Sequence, residues 1–371
     1  MKMSKYGIMG WEEILDLYSD YLLYSKGQTT ATGLSEVLGG ELSPDKITRF
    51  LSTEVFDEKT LWKKIKKLVR AYEDENACLI FDDTIIEKAY MDENEIICWH
   101  FDSKEGKSIK GINLLSSFYS SKKADQVLRV PIGFRVIAKT EEYTDEKTGE
   151  QKRRSPITKN EMMQEMIKRQ MQNQVKFRYI LADSWFSSAE NMRFIAKKKK
   201  GFIFELKENR LITDSEKKRN LGAFERLEHA VIPEKKPIKV WIKDLEFPVY
   251  LFKQVFKNKD GTHGQRFLVS NDFTLTDEQF KTLYKKRWGV EEYHKSLKQN
   301  ASIGKSPAYT ERTQSNHIFS AIFAYVKLEK LKLATHLNHF ALKTKVYMAS
   351  MKTAMNAFQE LCGIANNQAF A

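Results

Sequence analysis

Between residues 77 and 207, short apolar runs alternate with amphipathic segments in an order that few layered folds accept. ACLIFDDT, GINLLSSFYSS (111–121) and PIGFRVIAK (131–139) have strand length and are bounded by polar or turn-forming residues. Thr158 and Glu161 then form a capping box that opens the helical stretch KNEMMQEMIKRQMQ. FRYILADSWF (177–186) returns to a strand pattern, SAENMRFIAKKKK is helical, and GFIFELK (201–207) is a further strand. The order β-β-β-α-β-α-β predicts an α/β fold, a mixed sheet covered by helices.

The rest of the chain is organised around that block. Residues 1 to about 70 are helical, with Trp11, Ile14, Leu15, Tyr18, Leu22 and Leu23 on one apolar face. TATGLSEVLGG and SPDKITRFLS predict two short helices, the first stopped by Gly39 and Gly40, the second opened by Ser43 and Pro44. Such a pair fits a helix-turn-helix that offers Lys46, Thr48 and Arg49 to DNA. The charged segment 141–156 is expected as an exposed loop. Residues 208–275 alternate apolar with polar residues, with a hairpin turn at NKDG (258–261), and predict an inserted β-rich subdomain. Thr276 and Gln279 cap a long helix running to about residue 299, and more helices follow. The expected division is 1–70, helical and DNA-binding; 71–207 with 276–305, catalytic; 208–275, insertion; and 306–371, a C-terminal helical region.

With 62 Lys and Arg against 49 Asp and Glu, the net charge is +13, which calls for an anionic partner such as nucleic acid. A hydrophobic content of 42% excludes wholesale disorder. Three scattered cysteines, Cys78, Cys98 and Cys362, build no disulfide framework, and the longest apolar stretch, Ile318 to Val326, is too short to span a membrane. The acidic start of the chain argues against a secretory signal, so a cytoplasmic protein associated with the nucleoid is expected. No glycine-rich phosphate loop is present, so no nucleotide cofactor is expected.

On the long helix, at about 100° per residue, Tyr284, Arg287, Glu291 and Lys298 share a face roughly 60° wide. Leu283, Val290, Tyr293 and Leu297 form the adjacent apolar stripe, so this polar face borders the core. Two other acids stand at strand ends, Asp82 after the first strand and Asp183 after the fourth. Carboxylates from neighbouring strand ends and one covering helix are the hard oxygen donors that Mg²⁺ prefers. Taken singly, each has an ordinary explanation: a strand-ending turn, a helix cap, an i, i+4 salt bridge.

FDDT (81–84), ADSWF (182–186) and YKKRWGVEEYHKSLK (284–298) together resemble the three acidic motifs of bacterial DDE transposases of the insertion-sequence-four type. Their mark is Tyr-x2-Arg-x3-Glu-x6-Lys, matched here at Tyr284, Arg287, Glu291 and Lys298. The resemblance covers about 77 to 300. It implies a ribonuclease-H-like mixed sheet with flanking helices, interrupted by a β-rich insertion, between helical N- and C-terminal regions. It also implies catalysis and metal binding by Asp82, Asp183 and Glu291 with two Mg²⁺ or Mn²⁺ ions. The family's Asp-x-Thr pattern selects Asp82 over Asp83. Tyr284, Arg287 and Lys298 are expected to hold transposon-end phosphates, and Trp288 to stack on a displaced base. Lys46 and Arg49 add N-terminal DNA contacts. The family's second stacking aromatic lies in the insertion, where Trp241 and Phe267 are candidates.

The expected partners are double-stranded DNA, as transposon ends and target, and a second copy of the chain, with the C-terminal helices at about 307–360 as the interface. The rival readings are a stand-alone metal-dependent nuclease and a domesticated DNA-binding protein without chemistry. Other polar clusters carry less. His100 with Asp102 fits a satisfied strand histidine, Lys197 to Lys200 a solvated helix end, and His336 with His339 surface positions lacking an acid partner.

Overall fold

The computed structural model describes residues 9–102, 105–146, 148–234, 236–257 and 260–369, with 364–369 as backbone. Four helices come first: α1 (Trp11–Tyr24), α2 (Ala31–Val37), α3 (Pro44–Thr53) and α4 (Glu58–Ala71). The strands β1 (Cys78–Glu87), β2 (Cys98–Asp102), β3 (Lys107–Lys123) and β4 (Gln126–Val136) follow, then β5 (Glu141–Thr144) and β6 (Gln151–Arg154). Next are α5 (Lys159–Gln172), β7 (Tyr179–Ala182), α6 (Ala189–Lys197) and β8 (Gly201–Leu206). Within 208–275 lie β9 (Leu211–Thr213), α7 (Glu216–Asn220), β10 (Glu225–Arg226), β11 (Ile238–Ile242), β12 (Val249–Lys257) and β13 (His263–Ser270). The chain ends in α8 (Asp277–Lys285), α9 (Trp288–Asn300), α10 (Glu311–Thr335) and α11 (His339–Ala369). It divides into two compact units, 57–292 and the two terminal regions 1–56 with 293–371.

The unit 57–292 is built on one mixed sheet of 11 strands. Its heart is the order β4-β3-β1-β7-β8, in which β3 runs antiparallel to β1 and β4 while β7 and β8 run parallel to β1. This is the α/β mixed sheet expected from the strand order, and it is consistent with a ribonuclease-H-like fold. Cys78, Leu79, Ile80 and Phe81 are fully buried, as are Ile180, Leu181 and Ala182 on β7, because parallel strands here are covered on both faces. The 208–275 segment continues the sheet: β13 pairs with β8, and β12 and β11 follow outward. In the hairpin between β12 and β13, Asn258 and Lys259 lie outside the described residues.

Two local expectations are corrected. Residues 141–156 are not a plain loop, since β5 and β6 pair as an antiparallel ribbon. Opposed charges stabilise it, with Arg154 reaching Glu141 at 3.1 Å and Lys152 reaching Asp145 at 2.7 Å. The single long helix after Thr276 is two helices, broken at Lys286 and Arg287. There the amides of Lys286, Arg287, Gly289 and Val290 bond to carbonyls three residues back, at 2.9–3.0 Å, which tightens the turn to 3₁₀ geometry. Gly289, whose helix propensity is about 1 kcal/mol poorer than alanine's, favours the break. A constant 100° per residue therefore fails across Arg287: Tyr284 points inward and is buried, while Trp288 points out and is 59% exposed.

The terminal unit is helical. Ile14, Leu15, Tyr18, Leu22 and Leu23 of α1, and Ile47, Phe50 and Leu51 of α3, are buried, and α10 is buried along most of its length. Ser43 caps α3 through the Lys46 amide, with Pro44 in the first turn, and Gly39 and Gly40 take φ values of +62° and +78° in the turn before it. Asn316 of α10, 1% exposed, ties the end of α3 in place. Its Nδ2 donates to the carbonyls of Leu51 and Glu54 at 2.8 and 2.7 Å, and its Oδ1 accepts from the Phe56 amide at 3.3 Å. Asn316→Leu, which strands these backbone groups, should cost about 2–4 kcal/mol, read as a lower urea midpoint at unchanged slope. A midpoint within error of the parent would show that the contacts contribute nothing. Among the described residues, no helix is long and apolar enough to cross a membrane.

Candidate active site

The parallel pair β1 and β7 brings the strand acids together, with one correction: Asp183 follows the end of β7, but Asp82 lies in the middle of β1, which continues to Glu87 because it stays paired with β3. Parallel pairing places Phe81 beside Ala182. One residue further on, Asp82, still paired with Ser116 of β3, and Asp183, just past β7, stand on neighbouring strands, and the charge of Asp83 also reaches Asp183. Glu291, in the first turn of α9, accepts from Arg287 Nη2 at 2.6 Å, with the two side chains only 14% and 22% exposed. Burial works against the Arg287 charge, but Tyr284, Glu291 and Asp82 outweigh it and hold its pKa above the ordinary guanidinium value. Its Nε is buried with no hydrogen-bond partner. Asp183 is pushed up from the usual carboxylate range, first by burial and then by the nearby charges of Asp83 and Glu205. The Trp185 amide and Arg287 oppose that rise. Three acids thus lie around or within the field of one cation.

The donors suit a hard divalent ion, since carboxylate oxygens are what Mg²⁺ and Mn²⁺ take. Among the described residues, no three His, Cys, Asp or Glu side chains form a ready-made metal cage. The guanidinium supplies the positive charge here, and Glu291 turns to it. A site that already accommodates one cation among its acids fits a bound metal, once Glu291 exchanges its partner.

Beside Arg287 opens a cleft of about 540 Å³, lined by Phe256, Arg266, Lys281, Tyr284, Lys285 and Trp288 among others. Tyr284 donates its hydroxyl to Glu205 at 2.9 Å, and burial holds its phenol well above its usual pKa. Arg266 lies 4.8 Å from the Phe256 ring and 5.9 Å from that of Tyr284, so cations and aromatic faces interleave. Such a surface binds phosphates through its amines and guanidinia and bases through its rings. Trp241 and Phe267 of the insertion are both buried and do not reach solvent for stacking; Phe256 of β12, half-exposed, lines the cleft instead. Alternation along β12 placed it, a pattern too common in strands to single it out.

Across β1, Asp83 is paired with Lys159 at 2.7 Å. The Lys159 ammonium also lies 5.2 Å from the ring of Trp185, and Lys207 lies 5.6 Å from it on another approach. Trp185, 57% exposed, donates its amide to Asp183 Oδ1 at 3.0 Å. Its motif ADSWF was legible, but not that the indole stands in solvent beside the acids.

Lys46, Arg49 and Lys298 belong to the terminal unit. Lys46 is half-exposed, and Arg49 is exposed and pairs with Asp45 one turn earlier. Lys298 is exposed on α9. His100 is buried in β2, within 3.3 Å of the Cys98 thiol, and burial with Lys139 and Lys159 pushes it down to about 4. His339 is corrected: it is buried, 3.0 Å from the Glu329 carboxylate and 3.1 Å from Ser296, because α11 folds back onto α10. His336 ends α10 in the left-handed conformation.

Two family models match the chain, a transposase DDE domain over residues 121–327 and a DDE superfamily endonuclease over residues 11–212. A comparison with curated proteins found no match. Each family model covers more than half of the chain, and they overlap over residues 121–212, which include Asp183. The chain is a nucleic-acid-cleaving enzyme and belongs to the DDE transposases.

Proposed function

We propose that the chain is a cut-and-paste transposase of the insertion-sequence-four type, which binds terminal inverted repeats, cuts at each end and joins the freed 3′-hydroxyls to target DNA. The observation that carries this reading is the Arg287–Glu291 pair, set within the field of Asp82 and Asp183 and opening onto the basic, aromatic cleft. DDE superfamily enzymes use divalent metal ions, and Asp82, Asp183 and Glu291 would hold two of them, Mg²⁺ or Mn²⁺. Bound there, the ions supply activation of the attacking oxygen and charge neutralisation at the phosphodiester.

The protein's own part is positioning. Arg287 grips a phosphate in bidentate fashion once Glu291 releases it, Tyr284 and Arg266 line the path of the end, and Lys298 adds a point charge. Trp288 and Phe256 receive a base displaced from the duplex. Lys46 and Arg49 contact the repeat from the helix pair. Asp82 is the first acid on this reading: its charge acts on Arg287, whereas Asp83, whose charge reaches Asp183, is held by Lys159.

The test incubates the purified chain with Mg²⁺ or Mn²⁺, DNA bearing the inverted repeats that flank its coding region, and a target plasmid. Metal-dependent cutting at the repeat ends followed by joined product is expected. Cutting without joining would favour a stand-alone nuclease, and no cutting would overturn the reading.

Work on two ends calls for two copies of the chain. Supporting a homodimer, α11 bears Met348, Met351, Met355, Phe358 and Cys362 at alternating spacings of three and four, all exposed and flanked by exposed Tyr347 and Leu361. That 3.5-residue period is the seam of a helix meeting a like helix. Between residues 346 and 363 only Lys352 and Glu360 are charged, which suits neither DNA nor an anionic membrane. At on the order of 100 Å² each, these side chains approach the ~800 Å² per partner of a stable interface. Met355→Asp combined with Phe358→Asp should turn a dimer into a monomer in sedimentation equilibrium; a variant that still dimerises places the interface elsewhere.

A further inference from the structure

The Phe256–Trp288 cleft gives one strand a place beside the acids, but joining brings two DNA segments to the same three carboxylates. The second surface on offer lies where β7 and β8 end, beside Asp83 of β1. We propose that Trp185, with Lys159 and Lys207, is a second DNA-contact platform, and that it seats target DNA during the joining step. The inference rests on the transposase reading and adds to it a subsite for the second substrate.

Trp185 is placed with respect to the reaction centre. Its backbone amide donates to Asp183 Oδ1 at 3.0 Å, so the residue that carries the indole is anchored next to that carboxylate. An exposed indole beside such a group gains nothing from burial. Its neighbours are cations instead, Lys159 at 5.2 Å and Lys207 at 5.6 Å from the ring. Lysine ammonium groups around an aromatic face make the combination that holds a nucleic-acid strand without reading its sequence, stacking for the base or sugar and charge for the phosphates. Tolerance of sequence is what a target subsite needs. Lys159 has a further consequence: its pairing with Asp83 at 2.7 Å neutralises an acid that would repel the incoming backbone.

The end-binding cleft lies elsewhere on the same unit. Its lining residues come from β12, β13, α8 and the start of α9, none of which supplies Trp185, Lys159 or Lys207. The two surfaces can therefore be perturbed separately.

The experiment compares the parent with Trp185→Ala, Trp185→Phe and Lys207→Gln, using the full chain, Mg²⁺ and two substrates. One substrate is an uncut end, scored for cleavage. The other is a pre-cut end with a free 3′-hydroxyl, scored for joining to plasmid. Trp185→Ala should lower joining about ten- to a hundredfold relative to cleavage, the range for losing one stacked base. Lys207→Gln should lower joining in the same sense but less, Trp185→Phe should restore most of what Trp185→Ala loses, and raising plasmid concentration should rescue Trp185→Ala and Lys207→Gln. Equal loss of cleavage and joining would tie the indole to a step common to both reactions and overturn the proposal, as would joining unaffected by Trp185→Ala. A parent that cuts no end removes the transposase reading itself; a parent that cuts and joins with Trp185→Ala indistinguishable from it removes only this one.

Discussion

Asp183→Asn and Glu291→Gln should each lower metal-dependent end cleavage by on the order of 10³-fold or more, since loss of even one electrostatic group at a reacting centre costs 10²–10³. The two variants should part company in stability. Asp183 carries its charge against burial, with Asp83 and Glu205 adding repulsion, so its folded-state pKa lies above the unfolded value. A carboxyl raised in this way stabilises the fold only at pH low enough to protonate it; as pH rises through the folded value, that contribution is lost and the charge becomes a cost. Asparagine keeps an oxygen for the Trp185 amide and removes the charge. The metal-free Asp183→Asn protein should therefore melt a few degrees above the parent at neutral pH, the scale of ~1 kcal/mol in a chain of this size. Added Mg²⁺ should raise the melting temperature of the parent and leave the variant unmoved, because an ion stabilises only the state that binds it. Glu291→Gln gives up its charged pair with Arg287 at 2.6 Å and should gain no stability. Parental cleavage by either variant would remove that residue from the active site. A lower melting point for metal-free Asp183→Asn would mean that the carboxylate serves the fold.

The strand order was legible because periodicity is a local property. Runs such as Cys78 to Phe81 are buried on both faces and need no distant information to read as strands. The nearness of the two acids was partly legible: Phe81 and Ala182 pair in parallel, so the next residues, Asp82 and Asp183, are neighbours, but β1 does not end at Asp82 as its acidic pair suggested, because β3 holds it to Glu87. What failed did so where tertiary contacts overrule a local repeat. The helical wheel ran through Arg287 at a constant angle, but the chain tightens there to send Tyr284 to Glu205 and Trp288 outward. His339 looked like a surface residue because Glu329, its partner, lies ten positions away across the turn between two helices. Phe256 and Trp185 were hidden by their own ordinariness, one an alternating strand aromatic and the other a motif filler; only their exposure beside charge sets them apart.

Arg287→Ala tests the other half of the charge arrangement. The chain carries a net charge of +13, but Arg287 has a side chain only 14% exposed and faces acids. Removing it strands Glu291 with little solvent and takes the counter-charge from Asp82. Breaking a buried ion pair from one side costs 3–5 kcal/mol. Partial exposure of both side chains reduces that here to about 2–3 kcal/mol, visible as a lower urea midpoint. Glu291→Gln in the same chain should recover most of the loss without recovering cleavage, because the unpaired charge goes but the acid does not return. Binding of end DNA should weaken as well, and its dependence on the logarithm of salt concentration should flatten by about one unit, the share of one phosphate contact. Arg287→Lys separates charge from shape: it should keep the salt slope, since the charge remains, and still bind ends more weakly, since an ammonium cannot grip two oxygens of one phosphate. An Arg287→Ala protein with the parental salt slope would confine the residue to balancing the acids. One with the parental midpoint and a flattened slope would make it a DNA ligand alone. On the proposed reading both change together, because the same guanidinium that holds Glu291 in the free protein would be the one released to the phosphate when metal and DNA arrive.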